Sequence, residues 1–254
     1  MRIGLIGDTH GWVPALDVAI AACRAAGVDV LIHCGDFLSS PFSPDPPGET
    51  IALLRAEGIR CVYGNGEAYL MDWGTPRWER TVATRLNRPD PPRPGFFDLV
   101  PAGQAELSTD DLAWLRGVPD ELVLDAVRPG DVYVCHGMPG NPFDGFWGPP
   151  SPAYSNVTDQ ARLAALSRPE VAEADLILCG HAPGPYLQVE SLPNGRRAIV
   201  VRASGWPRQD DGVQRTSVAM LTHTAVGWEV LIQPVPYVPR DPSWTWDQPS
   251  RRPA

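Results

Sequence analysis

The chain has 254 residues, 43% hydrophobic and 20% charged, an ordinary balance for a globular protein. Its formal net charge is −9, and no Lys/Arg cluster is dense enough to track a nucleic-acid backbone, so stable nucleic-acid binding is disfavoured. No apolar run approaches the roughly 20 residues needed to cross a bilayer, so no membrane partner is expected.

The N-terminus, "MRIGLIGDTHG", holds a short apolar run that reads as a strand at 2–7, too short for a signal peptide. A cytoplasmic location is therefore the default expectation. Pro14 opens a helix with Leu16, Ile20 and Cys23 on one face and Gly27 just past its end. Strands at 28–34 and 59–63 flank a second helix over 51–57. This β-α-β-α-β order implies parallel strands, and ligands in such sheets bind beyond the carboxyl ends of the strands.

Residues 68–107 are proline-rich and less regular, with Trp73 and Trp78, and read as an insertion or cap. Ser108 with Asp111 resembles a capping box for a helix through Trp114 and Leu115. A strand at 131–135 leads into an aromatic and proline-rich loop at 137–158, carrying Phe143, Phe146, Trp147 and Tyr154. A helix within 159–167 and a strand at 175–179 follow. Two hairpins then succeed one another, the first turning at "PNG" and the second through Ala225 to Gly227. The expected organisation is a single domain over 1–233, followed by a proline-rich arm or tail at 234–254. Parallel units followed by antiparallel hairpins suggest an α/β sandwich of mixed sheets with helices outside. The five cysteines, Cys23, Cys34, Cys61, Cys135 and Cys179, form no C-x-x-C pair. A disulfide framework or structural zinc site is therefore disfavoured.

Polar residues follow each strand in turn. The first strand delivers Asp8 and His10, the second Gly35-Asp36, the third Gly64-Asn65. The later ones deliver His136-Gly137 and Gly180-His181. Carboxylate, imidazole and amide oxygen together suit divalent ions such as Mn²⁺, Fe²⁺ or Zn²⁺. A carboxylate such as Asp36 can bridge two ions. Two ions roughly 3.5–4 Å apart can share a hydroxide and bind the attacking and leaving oxygens of a phosphoryl group.

These motifs, "GDTHG", "HCGD", "GNGE", "CHGMPG" and "GHAP", resemble the calcineurin-like metallophosphoesterase superfamily, nearest its small bacterial and archaeal phosphodiesterases. A further block, "ASGWPRQDDGVQRTSVAML" (203–221), resembles a segment of that branch. The resemblance runs from residue 2 to about 221. It implies a four-layer αββα sandwich of two mixed sheets and two divalent metals. Asp8 and His10 would bind metal 1, Asp36 would bridge, and Asn65, His136 and His181 would complete metal 2. The implied activity is hydrolysis of a small phosphodiester or phosphomonoester by in-line attack of metal-held hydroxide. His136, Asn65 and Arg208 stand as the residues nearest the chemistry, Arg208 near the phosphate.

Three departures stand out. Gly7 replaces a frequent serine. Gly66 replaces a His or Cys, and in relatives with His that residue contacts the phosphate and can protonate the leaving group. Pro183 stands where the last His of G-H-x-H would bind metal 1, so metal 1 is expected to bind weakly. The alternative is a degraded member of this fold, serving as a binding or regulatory module.

Other residues read more plainly. His33, inside a strand, and His223, far from every motif, read as structural. Glu67 reads as an orienter of neighbours rather than a ligand. The aromatic loop reads equally as a pocket wall, a loop anchor, or a contact between copies in a homo-oligomer.

Overall fold

A computed structural model describes residues 1–39, 41–87, 92, 94–145, 157–203 and 212–243, together with the backbone of 208–210. The chain begins with β1 (Arg2–Ile6), α1 (Val13–Ala25), β2 (Val30–His33), α2 (Pro47–Ala56) and β3 (Arg60–Cys61). β1, β2 and β3 are parallel neighbours. The long β10 (Val213–Thr224) returns antiparallel against β1, and β11 (Gly227–Pro236) against β10. The sheet order is β11-β10-β1-β2-β3, with β9 (Arg208–Asp210) pairing the start of β10. The second sheet comprises β4 (Glu121–Leu124), β5 (Val132–Cys135), β6 (Leu176–Cys179), β7 (Tyr186–Ser191) and β8 (Arg197–Arg202), in the order β4-β5-β6-β8-β7. β5, β6 and β8 are parallel, and the edges β4 and β7 are antiparallel.

The period-2 alternation of strand side chains sorts the core into layers. Ile3, Leu5, Ile32 and Cys34 from one sheet pack against Val132, Val134, Leu176, Leu178 and Val201 from the other. The opposite faces carry helices. Ile6, Leu31 and Val218 meet Leu16, Ile20, Ile51 and Leu54. Tyr133, Ile177 and Val200 meet Ala165, Leu166 and Val171 of α7 (Asp159–Leu166) and α8 (Pro169–Ala172). The result is the four-layer αββα sandwich. α1 begins with proline in its first turn and ends with Gly27 at φ 68°, as its sequence implies.

The region after β3 is more regular than its composition suggests. It folds into α3 (Asn65–Asp72), α4 (Trp78–Leu86), α5 (Phe96–Ala105) and α6 (Thr109–Arg116). Ser108 Oγ accepts from Asp111 N at 3.1 Å and opens α6. Trp73 and Trp78 stack edge to face with centroids 4.9 Å apart, which packs this region on itself. Among the described residues, no helix is long and apolar enough to cross a membrane.

Candidate metal centre

The strand ends bring the six ligand candidates to one edge of the sandwich. Asp8 and His10 follow β1, Asp36 follows β2, and Asn65 is the first residue of α3. His136 follows β5 and His181 follows β6, so the second sheet contributes two of the three imidazoles. The backbone here is strained. Among the described residues, the non-glycine residues with left-handed φ are Asp8 (52°), His10 (48°), Asp36 (50°) and His181 (70°). Such conformations cost energy and persist where the surroundings over-determine them, typically at functional sites. The turns interlock through backbone bonds. Asp8 N donates to Gly35 O at 3.1 Å, His10 N to Asp36 O at 2.8 Å, and Gly180 N to His136 O at 2.8 Å. Gly35 must be glycine: an added Cβ would stand 2.6 Å from Gly64 N and 2.7 Å from His136 Nδ1.

Four donor atoms gather on the His136 side. His136 Nε2 lies 3.4 Å from Asp36 Oδ2 and 3.2 Å from Asn65 Oδ1. His181 Nδ1 lies 2.8 Å from Asn65 Oδ1 and 3.2 Å from His136 Nε2. Donors held at about 2.1 Å around one first-row cation stand roughly 3.0–3.4 Å from one another, and the three distances from His136 Nε2 fall in that range. His136 Nδ1 lies 2.7 Å from Cys34 O, a pure acceptor, so a ring proton sits on Nδ1 and Nε2 is the nitrogen turned inward, where a bound ion would take the place of any second proton. On the other side, Asp8, His10 and Asp36 each bring one ligand atom within 4.8 Å of the others, all from buried residues. Asp36 Oδ2 faces both halves, at 3.9 Å from His10 Nε2 and 3.4 Å from His136 Nε2.

Polar atoms in this cluster call for a cation. Asp8 Oδ1 accepts from His181 N at 2.9 Å, while Asp8 Oδ2 is buried without a hydrogen bond. Burial pushes the Asp8 carboxyl up to about 7. Burial would also raise Asp36, but the charge and hydrogen bond of His136 outweigh it and hold Asp36 below the usual carboxylate range. Burial works against a charged His136, yet Asp36 and Asp8 push it up to about 9. Burial lowers His10 to about 4. The cluster thus draws a proton to the point where acceptors converge, which is where a divalent ion would satisfy them.

Glu67 fits its reading as an orienter. Its Oε2 accepts from Asp36 N at 2.9 Å and Gly64 N at 2.7 Å, and its Oε1 accepts from Leu38 N at 2.6 Å. The Gly66 amide, which sequence reasoning missed as a functional group, donates to Asp36 Oδ1 at 2.7 Å. A Cβ at 66 would stand 2.9 Å from Leu38 O, so this backbone leaves little space for a side chain. The Cys34 carbonyl was also missed. The only sequence signal for either group is its place beside a ligand, in "HCGD" and "GNGE". Pro183 is exposed and offers no ligand atom. The Arg208 backbone pairs with Arg215, and its side chain lies outside the described residues.

His33 is structural: buried, 3.0 Å from Thr9 Oγ1 and edge-on to Phe37. His223 packs edge-on against Trp228. Phe143 packs on Tyr69, one turn beyond Asn65, with centroids 5.5 Å apart, while Phe146, Trp147 and Tyr154 lie outside the described residues.

Residues 1–224 match the calcineurin-like phosphoesterase superfamily domain. The chain belongs to this superfamily. Solved structures agree at the level of the fold. A metallophosphoesterase from Sphaerobacter thermophilus is 21% identical over 93% of this chain and 88% of its own, with a TM-score of 0.56. A hypothetical protein from Pyrococcus horikoshii OT3 is 19% identical over 93% of this chain and 88% of its own, with a TM-score of 0.63. No curated protein matches the sequence. Membership of the calcineurin-like phosphoesterases and the Asp8–His10–Asp36 group together support metal-dependent phosphoester hydrolysis.

Proposed function

We propose that the protein hydrolyses a small phosphodiester or phosphomonoester by in-line displacement at a two-ion site. In this reading Asp36, Asn65, His136 and His181 hold one divalent ion, and Asp8, His10 and Asp36 hold a second, less fully ligated one. The observation that carries it is the approach of Asp36 Oδ2, Asn65 Oδ1 and His181 Nδ1 to within 3.2–3.4 Å of His136 Nε2. The mixed oxygen and nitrogen donors suit Mn²⁺, Fe²⁺ or Zn²⁺. When bound, the ions supply Lewis acidity and a water nucleophile activated near neutral pH.

The chain's own groups orient this chemistry. Glu67 holds the Asp36 backbone amide, and the Gly66 amide fixes the Asp36 carboxylate from behind. Cys34 O fixes the His136 ring. His136, Asn65 and Arg208 are assigned to the charge developing on the phosphoryl oxygens. Gly66 has no side chain to protonate a leaving group, so aryl or nucleotide esters are the substrates that fit best.

The test is turnover of bis-p-nitrophenyl phosphate and p-nitrophenyl phosphate by the Mn²⁺-loaded protein. Hydrolysis well above an Asp36→Ala control is expected. Activity equal to that control would refute the proposal.

A further inference from the structure

Residues beyond the matched family domain reach back towards His10. After Gly11 the chain enters α1 through Trp12 and Val13, and this entry is clamped from outside the site. Val13 N donates to Asp45 Oδ2 at 2.9 Å, and Asp45 N donates to Gly11 O at 3.3 Å. Asp45 is in turn met by Arg240, whose Nε lies 3.8 Å from Asp45 Oδ1 and whose second arm reaches Glu49 Oε2 at 2.7 Å. Three residues earlier, the Tyr237 ring stands 6.2 Å from that of Trp12, in a small buried cluster with Ala15. Tyr237 is pinned to β10: its N donates to Gln214 O at 3.0 Å and its hydroxyl to Gln214 Oε1 at 2.9 Å.

We infer that Tyr237 and Arg240 are positioning residues for His10, locking the Gly11–Val13 turn so that the imidazole stays beside Asp36. His10 has a left-handed backbone at φ 48°, a conformation that holds only when its neighbours enforce it. Its backbone bond to Asp36 O secures one side of the turn, and the contacts of Trp12 and Asp45 secure the other. Support matters most on this half, because Pro183 withholds a ligand there. The link to metal binding rests on the phosphoesterase reading, whereas the link to His10 geometry does not.

Two measurements separate these links. Histidine-selective ¹⁵N labelling gives ring signals for only five residues. In metal-free protein, Tyr237→Ala and Arg240→Ala are expected to shift or broaden the His10 signals and leave those of His136 and His181 in place. Tyr237→Phe, which keeps the ring against Trp12, restores the wild-type pattern. Unmoved His10 signals, or equal movement of all three histidines, would overturn the inference. Arg240→Ala removes an exposed side chain and keeps the test available if Tyr237→Ala fails to fold. Co²⁺ titration followed by visible absorption supplies the second readout. The binding step abolished by His10→Ala is expected to weaken about 10–100-fold in Tyr237→Ala, the usual scale for support behind a ligand. Equal weakening of every step also counts against the inference. A wild-type protein that binds no Co²⁺ refutes the metal site itself, and the ring signals still decide the positioning role.

Discussion

The Nδ1–H of His136, on the second sheet, donates to the carbonyl oxygen of Cys34, on the first, at 2.7 Å. This bond turns Nε2 towards Asp36 and Asn65 and commits the ring to a ligand's tautomer. His136→Ala removes one donor and leaves Cys34 O without its partner. Divalent-ion affinity, measured by isothermal titration with Mn²⁺, is expected to fall more than tenfold, and kcat with it. Unchanged affinity would remove His136 from the ligand set.

Glu67 accepts three backbone N–H groups, from Asp36, Leu38 and Gly64. Glu67→Gln keeps the size but turns an NH₂ against at least one of those donors. Leaving such groups unsatisfied in a buried site costs about 1–3 kcal/mol, and more where charge is involved. Urea denaturation of the metal-free variant is expected to show a loss of that order, with ion affinity reduced about tenfold. A variant matching wild type in both would refute this role.

Pro183 is exposed two residues past His181. Pro183→His offers an imidazole to the Asp8–His10–Asp36 half. The second-ion step in a Mn²⁺ titration is expected to tighten about tenfold, with higher turnover at limiting metal. If the step does not move, the loop does not aim this position at the site.

Burial first, then the charge of His136, lowers His33 to about 3. The unfolded imidazole takes up a proton below about pH 6.5, and the folded one refuses it until about pH 3. Stability from this residue is therefore complete above about pH 6.5 and is lost as pH falls towards 3. By pH 5 the deficit is about 2 kcal/mol. Unfolding free energies from urea denaturation at pH 7.5 and 5 are expected to differ less in His33→Gln than in wild type by about this amount. Equal pH dependence in the two proteins would refute the assignment.

The parts legible in the sequence were those where local pattern and packing agree. Apolar runs ending in "GD", "GN" or "GH" gave both the strands and the ligand candidates. Ser108 and Asp111 announced α6. α5 was hidden because Pro101 and Gly103 argue against a helix. In the fold, Val100 and Gly103 are buried, and Gly103 lies too close to Pro41 O for any side chain. β4 was missed because four residues with a largely solvated face carry little periodicity, and its pairing with β5 depends on contacts distant in sequence. No pattern announces left-handed φ at Asp8, His10, Asp36 and His181, since strain arises from how four separate turns meet.

The ligand candidates are divided between the sheets: Asp8, His10, Asp36 and Asn65 from one, His136 and His181 from the other. An ion held by both groups acts as a rivet through the seam of the sandwich. An ion that binds only the folded chain, at a hundredfold excess over its Kd, adds about 2.7 kcal/mol of stability. On the proposed function, turnover and stability would draw on the same few atoms, so a change that loosens a ligand to hasten product release would also remove one tie between the two sheets.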